Sequence, residues 1–277
     1  MKYLSIFIVT IFFLSCGNTG GPSADLTLIP KDKIIERMRA GNFDYRYATF
    51  KTQKSAKLNE QEQKMLNDGK FGKDYYEDAN GVIKEIIIRP IEMEDKFIEI
   101  QRRELAANPM KGIQIIDIDC DSVDAVYKEI YRTDQEARKN RQGIKETDTR
   151  NLQLVVSAIS KCGWSEANTQ TIWLIFQHSP LGVMAYYYPD VKAFSEKGNL
   201  SRSSFAMLQD RLLTEHGYKQ LYGTQILSGE LYKLEDPDGV NARRKEIGMG
   251  VIEDYIGAWG LDLEAEKERW RKEEEGE

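Results

Sequence analysis

Ile172-Trp173-Leu174-Ile175-Phe176 are five successive apolar residues inside the stretch 170–177. On a helix turning about 100° per residue, five in a row reach every side of the cylinder. Such a helix has no face to give to water, so it must be central and buried. The walls around it are legible as further helices. A cap at Asp121 or Ser122 opens a long helix reaching about Asn140, and Thr147 or Asp148 caps the next, which ends near Gly163. A helix over 201–215 ends at Gly217, another starts at Pro237 and stops near Gly248, and a last short one precedes Gly260. Residues 225–234 read as a hairpin about Ser228-Gly229.

The first third of the chain is patterned differently. Residues 31–40 form a short helix after Pro30, and Asn59 with Glu62 forms a capping box ahead of Met65 and Leu66, closed by Gly69. Asn80-Gly81 lies between Tyr75-Tyr76 and the apolar run 82–91, a strong hairpin signal. Residues 93–105 read as a helix stopped before Pro109, and 113–118 as a short strand. The expected fold is mainly α: a multi-helix C-terminal domain over 119–263, with a small α+β N-terminal region over 25–118 containing a β-hairpin. The charged run 264–277 is expected to be a solvated, frayed tail. Hydrophobic residues at 41% and charged residues at 30% suit a packed core rather than disorder. A net charge of −6 argues against a nucleic-acid partner, which needs a basic excess or stripe.

The N-terminus carries the sharpest local signal. Met1-Lys2 is followed by an apolar run from Tyr3 to Leu14, then Ser15, Cys16 and the small polar stretch 17–23. The run is too short for a bilayer core, which needs about 20 residues, and suits a secretory signal. Leu14-Ser15-Cys16 resembles the lipobox of bacterial lipoproteins, with Phe13 less usual at its outer position. The resemblance implies a signal peptide over 1–15, a tether over 16–24 and diacylglycerol on the Cys16 thiol. It places the protein on the cell-envelope membrane, facing the periplasm or the exterior. Cys120 and Cys162 then either bridge, as export to an oxidising compartment permits, or remain two separate buried thiols. No His-Glu-x-x-His or Cys-x-x-Cys spacing, nucleophile elbow, phosphate loop or kinase signature occurs, so no cofactor and no metal is expected.

Several polar residues are placed unusually. With Val123 at zero on its helix, Tyr127 falls at about 40°, Ile130 at about 340° and Asp134 at about 20°, so Asp134 lies within the apolar stripe. A carboxylate there needs a partner or a raised pKa, unless the helix leaves the core before it. Asp210 and Arg211 are both flanked by apolar positions on the 201–215 helix, yet they do not face each other. His178 ends the most apolar run, either as a cap or as the best general acid or base in the chain. Tyr222-Gly223-Thr224-Gln225 is a turn-like run, either structural or converging on a pocket.

The ordered set Tyr131-Arg132-Thr133-Asp134-Gln135, Asp148-x-x-Asn151, Gly163-Trp164, Gln177-His178, Asp210-Arg211, Tyr222-Gly223-Thr224-Gln225, Asp236-Pro237 and Arg243-Arg244 resembles an uncharacterised bacterial helical family, a domain of unknown function, over residues 120–257. Ser165-Glu166 departs from the family, which usually has Pro soon after Gly-Trp. The resemblance implies a helical fold and favours Asp134, His178, Asp210, Arg211, Tyr222, Gln225 and Arg243 as one cluster; because buried polar groups are costly unless they satisfy one another, at least one Asp is expected to pair with Arg211 or Arg243. It implies no activity. Two function classes follow. The first is a structural or ligand-binding envelope lipoprotein, membrane-held through Cys16 and holding a small polar or anionic ligand. The second is a hydrolase or transferase on envelope material, with His178, Asp210 and Asp134 as the candidate catalytic set and Arg211, Tyr222, Gln225 and Arg243 as the candidate ligand-binding set. Protein partners stay open.

Overall fold

The structure, a computed structural model, describes residues 21–55, 57–66 and 71–276. The signal-peptide reading, Cys16, the first part of the tether and the helix stop at Gly69 lie outside the described residues. The chain divides into two compact units, one of residues up to Pro30 with Asp44–Glu92, the other of Lys31–Phe43 with residues from Met93 on. The helical unit therefore takes in Met93 onward, ahead of the boundary expected near residue 118.

In chain order the elements begin β1 (Thr27–Leu28), α1 (Lys31–Arg39), β2 (Thr49–Thr52), α2 (Glu60–Met65), β3 (Phe71–Glu77), β4 (Ile83–Pro90) and α3 (Met93–Leu105). They continue with α4 (Val123–Asn140), α5 (Ile144–Cys162), α6 (Thr169–Gln177), α7 (Leu181–Glu196), α8 (Arg202–Glu215), β5 (Ile226–Leu227), β6 (Glu230–Leu231), α9 (Val240–Glu246), α10 (Ile252–Gly257) and α11 (Leu263–Glu275). The fold is mainly helical, as expected. No helix among the described residues is long and apolar enough to cross a membrane.

The first unit is a four-stranded sheet in the order β1-β3-β4-β2. Its centre is the expected hairpin of β3 and β4, with Tyr75 opposite Ile86, both buried. The turn forms because Asp78 Oδ1 accepts from the Asn80 and Val82 amides at 2.9 and 3.0 Å, while Gly81 takes the positive φ of 76°. The added edge strand β2 runs parallel to β4. Beside it, the buried Glu85 is satisfied by Lys51 Nζ at 2.6 Å and by the amide and hydroxyl of Ser23. The capping box of Asn59 and Glu62 is present at the head of α2.

The second unit is built around α6. Ile172, Trp173, Ile175 and Phe176 are buried, and α4, α5, α7 and α8 pack against them. The helix α7 stands where the sequence pattern shows no element. It is apolar on nearly all sides, with Val183, Met184, Ala185, Tyr187, Tyr188 and Val191 buried, and it carries Pro189 inside, so no amphipathic period marks it. Three expectations are corrected. Residues 113–118 form no strand, because their backbone bonds to side chains of α5: the Ile116 amide donates to Ser157 Oγ at 3.0 Å, and Gln153 Nε2 donates to the Gln114 carbonyl at 3.1 Å. Helix α5 starts at Ile144 after Gly143, whose φ of 59° sets the turn, so Thr147 and Asp148 lie inside it. The charged tail is helix α11, held by Trp270 in a second core with Leu231, Leu234, Val240, Ile252 and Ile256.

Cys120 and Cys162 form a disulfide that ties the start of α4 to the end of α5 across 42 residues of sequence. Loop closure of that length corresponds to about 4 kcal/mol in the chain-entropy picture. Cys120→Ser or Cys162→Ser should lower the melting temperature by many degrees. Reducing agent should do the same to the parent chain and nothing to either variant.

Candidate functional site

Helix α4 carries Asp134 into the core at 1% exposure, one turn after Ile130, as its place on the apolar stripe requires. The end of α6 then delivers His178 to it. The helix stops there because Pro180 follows, and His178 caps it with φ −98° and ψ 0°. His178 Nδ1 lies 3.0 Å from Asp134 Oδ1. Arg138, one turn along α4, donates from Nε to the same oxygen at 3.2 Å and from Nη2 to Asp148 Oδ1 of α5 at 2.6 Å. Gln135 Nε2 donates to Asp134 Oδ2 at 2.9 Å. Both oxygens of the buried carboxylate are thus engaged. Asn151 holds the helix pair in register, donating to the Ile130 carbonyl and accepting from Thr133 Oγ1.

The imidazole side chain is 21% exposed, and its Nε2 makes no hydrogen bond among the described residues. Burial, and then the neighbouring Arg138 charge, hold the His178 pKa below 6.5 against the pull of Asp134. At neutral pH the ring is therefore uncharged. Nδ1–H donates to the Asp134 carboxylate, which leaves the Nε2 lone pair as a positioned acceptor. Burial pushes the Asp148 carboxyl up, with Arg138 opposing. Asp134, Asp148 and His178 bring their ligand atoms within 4.8 Å of one another, a composition that metals use. Arg138 already stands between the two carboxylates, so the cation of this group is the guanidinium.

Asp210 belongs to a different, closed network. It is 0% exposed on α8. The amides of Leu221, Tyr222 and Thr224 and the Thr224 hydroxyl all donate to it, at 2.7 to 3.1 Å. Burial pushes its carboxyl up while these donors pull it down. Gly223 makes the wrap possible: its φ is 71°, a left-handed conformation that residues with a side chain rarely adopt. The outer side of the loop is held by Arg243 Nε on the Leu221 carbonyl and Arg244 Nη1 on the Tyr222 carbonyl. The Gln225 amide donates to Gln220 Oε1.

The residues expected as one cluster therefore fall into two contact networks. Asp134 and His178 touch directly, and Arg211 Nη1 donates to the Gln177 carbonyl at 2.7 Å, next to His178 in sequence. Asp210, Tyr222, Gln225 and Arg243 form the loop network. The expected pairing of these aspartates to Arg211 or Arg243 is corrected: Asp134 takes Arg138, Asp210 takes backbone donors, and Arg243 takes Asp236 at 2.9 Å. Arg138, Asp148 and Arg244 were missed as site residues. The spacing of Arg138 four after Asp134 was a readable signal. Asp148 and Arg244 stood within the family pattern without a role.

A DUF6624 domain, from a family of unknown function, is found at residues 133–263. It takes in Asp134, His178, Asp210 and the 222–225 loop. No curated protein and no solved structure matches the chain.

The two networks should answer mutation differently. Asp210→Ala strands several buried donors, each costing about 1–3 kcal/mol, so a loss of at least about 3 kcal/mol is expected, with fast amide exchange at 221–224. His178→Ala leaves Asp134 with Arg138 and Gln135 and should cost less, about 1.5–3 kcal/mol, the scale of one hydrogen bond to a charged group. Denaturant melts of both variants measure the contrast.

Proposed function

We propose that the chain is a cell-envelope lipoprotein, anchored through lipid on Cys16 and facing the periplasm or exterior, whose helical domain binds a small polar ligand at His178. The observation that carries the ligand reading is the geometry of that ring: Nδ1 fixed by a buried carboxylate, Nε2 unbonded and part-exposed. A buried hydrogen-bonded partner on one nitrogen fixes both the tautomer and the aim of the other. The flanking charges are Asp134, Asp148 and Arg138, one more negative than positive. They favour a hydroxyl or amine donor over an anion. The anchoring reading rests on Leu14-Ser15-Cys16 and is supported by the Cys120–Cys162 disulfide, which suits an oxidising compartment.

The same geometry favours a second reading, a hydrolase or transferase in which His178 takes a proton from a bound hydroxyl or water, and Asp134 holds the ring. Among the described residues no serine, threonine or cysteine is bonded to Nε2, so the ligand itself or water would be the nucleophile.

Anchoring is tested by feeding labelled fatty acid to cells: label should enter the wild-type chain and not Cys16→Ser, and equal labelling would refute the anchor. The site is tested by native mass spectrometry of the chain purified from its source. A bound small molecule should be present near neutral pH and absent in His178→Ala. Because the folded pKa lies below the free value of 6.5, the acceptor survives mild acid and is lost only as pH falls through that lower value. Retention of the molecule well below it would refute His178 as the acceptor.

A further inference from the structure

Ser23 fixes where the chain from Cys16 meets the first unit. Its amide donates to Glu85 Oε2 at 3.0 Å and its hydroxyl to Glu85 Oε1 at 2.6 Å. Lys51 Nζ, on the edge strand β2, donates to that same Oε1 at 2.6 Å. Seven residue steps separate Ser23 from Cys16, at most about 25 Å of extended chain. With lipid on Cys16, Ser23 stays within about that distance of the headgroups, and Lys51 stays beside it.

The chain around β2 is basic. Residues 44–59 carry Arg46, Lys51, Lys54 and Lys57 against one acid, Asp44, in a chain whose net charge is −6. Arg46 is bonded to Asp44 and Lys51 to Glu85, which leaves Lys54 and Lys57. Both are exposed, and neither ammonium meets an acceptor among the described residues. They stand at one recess of about 380 Å³, lined also by Phe71, Ile88 and Pro90. Of the other charges there, Glu62 accepts from the Asn59 amide at 2.8 Å and Arg89 pairs with Asp74 at 3.0 Å. At the opposite end of β2, Tyr47 is 90% exposed, with the Arg46 guanidinium 5.8 Å from its ring centroid. The fold gives that ring no cover. An amphipathic ring of this kind sits well at headgroup level, its body in the apolar boundary and its hydroxyl in water.

We propose that the β2 edge lies on the anionic surface of the membrane that holds Cys16, with Lys54 and Lys57 on phospholipid phosphates and Tyr47 in the headgroup layer. The proposal rests on the lipid anchor. Each lysine or arginine beside an anionic leaflet is worth about fivefold in partitioning. That is weak for a free protein, and enough to orient one whose tether already keeps it at the surface.

The test places a polarity-sensitive fluorophore on Gln53→Cys, exposed next to Lys54. With Cys16 acylated and Cys120 bridged to Cys162, this is the single reactive thiol. The full chain, purified from membranes in detergent, is reconstituted into vesicles of phosphatidylcholine alone or mixed with phosphatidylglycerol, each carrying a headgroup-level quencher. The label should be quenched on the anionic vesicles, and high salt should relieve it. Lys54→Glu with Lys57→Glu should cut the quenching at least about fivefold. Both side chains are exposed and unbonded, so this variant should melt with the parent, which separates loss of docking from loss of fold. Mass spectrometry of the same preparation reads the acyl chains. An acylated chain whose label is unquenched, or is quenched equally on neutral vesicles or after the charge reversal, would overturn the docking and leave the anchor standing. A chain without acyl groups would overturn both.

Discussion

Helix α6 buries most of its circumference, with Gln170 exposed and Thr171 and Leu174 half-buried on the remaining side, and that burial organises the helical unit. Ile172, Ile175 and Phe176 share one face and Trp173 lies about 100° round from Ile172, a buried arc that takes several neighbours to cover. Helices α4, α5, α7 and α8 supply them. The consequence reaches beyond packing. A helix inside such a group ends inside it as well, so its last residues meet the inner faces of other helices. His178 is therefore brought against Asp134 by the same burial that holds the unit together, and the pair is as rigid as the core behind it.

Among the described residues of this unit, Asp134 and Asp210 are the carboxylates at 1% exposure or less, and the way each is satisfied separates their roles. Asp210 collects donors that all belong to one loop, and nothing on it is left for a ligand. Its effect is to fold residues 221–224 into a fixed shape, with Arg243 and Arg244 closing the carbonyl side. Asp134 collects donors from side chains on two helix ends, and one of them, His178, carries a second nitrogen that faces partly outward. A carboxylate that only stitches structure has no need of a titratable, half-open donor. Burying Asp134 instead fixes an imidazole in one tautomer, which is a property of recognition and proton transfer.

Much of this was legible because it is local. The Asn59–Glu62 capping box, the Asn80-Gly81 turn and the position of Asp134 on the α4 stripe each follow from residues within a few positions of one another. What escaped was what depends on distant partners. Helix α7 has an internal Pro189 and almost no polar face, so nothing in its own sequence separates it from a buried strand or an irregular run. Segment 113–118 is apolar enough for a strand, but Ser157 and Gln153 of α5 take its backbone groups. Helix α11 is dominated by charge and reads as solvated. Trp270, docking on residues of α9, α10 and β6, decides otherwise. The division of the polar residues into an open and a closed network was hidden for the same reason: a position on a stripe reports burial and not the identity of the partner.

Arg138 then bears on the chemistry that the proposed site would suit. It lies one turn from Asp134 on the same helix and spans to Asp148 on the next, so it offsets part of the repulsion between the two carboxylates. A metal ion bound by Asp134, Asp148 and His178 would have to displace that guanidinium, whose bonds to both carboxylates are charge-assisted. An anion approaching His178 would meet a ring held neutral by burial and by Arg138 itself, with Asp134 already taking the ring proton. What remains unopposed is a donor: a hydroxyl or N–H that gives its hydrogen to Nε2 while Asp134 steadies the ring from behind. Binding and general-base chemistry share that first contact, and they part only in whether the donated proton is kept or transferred.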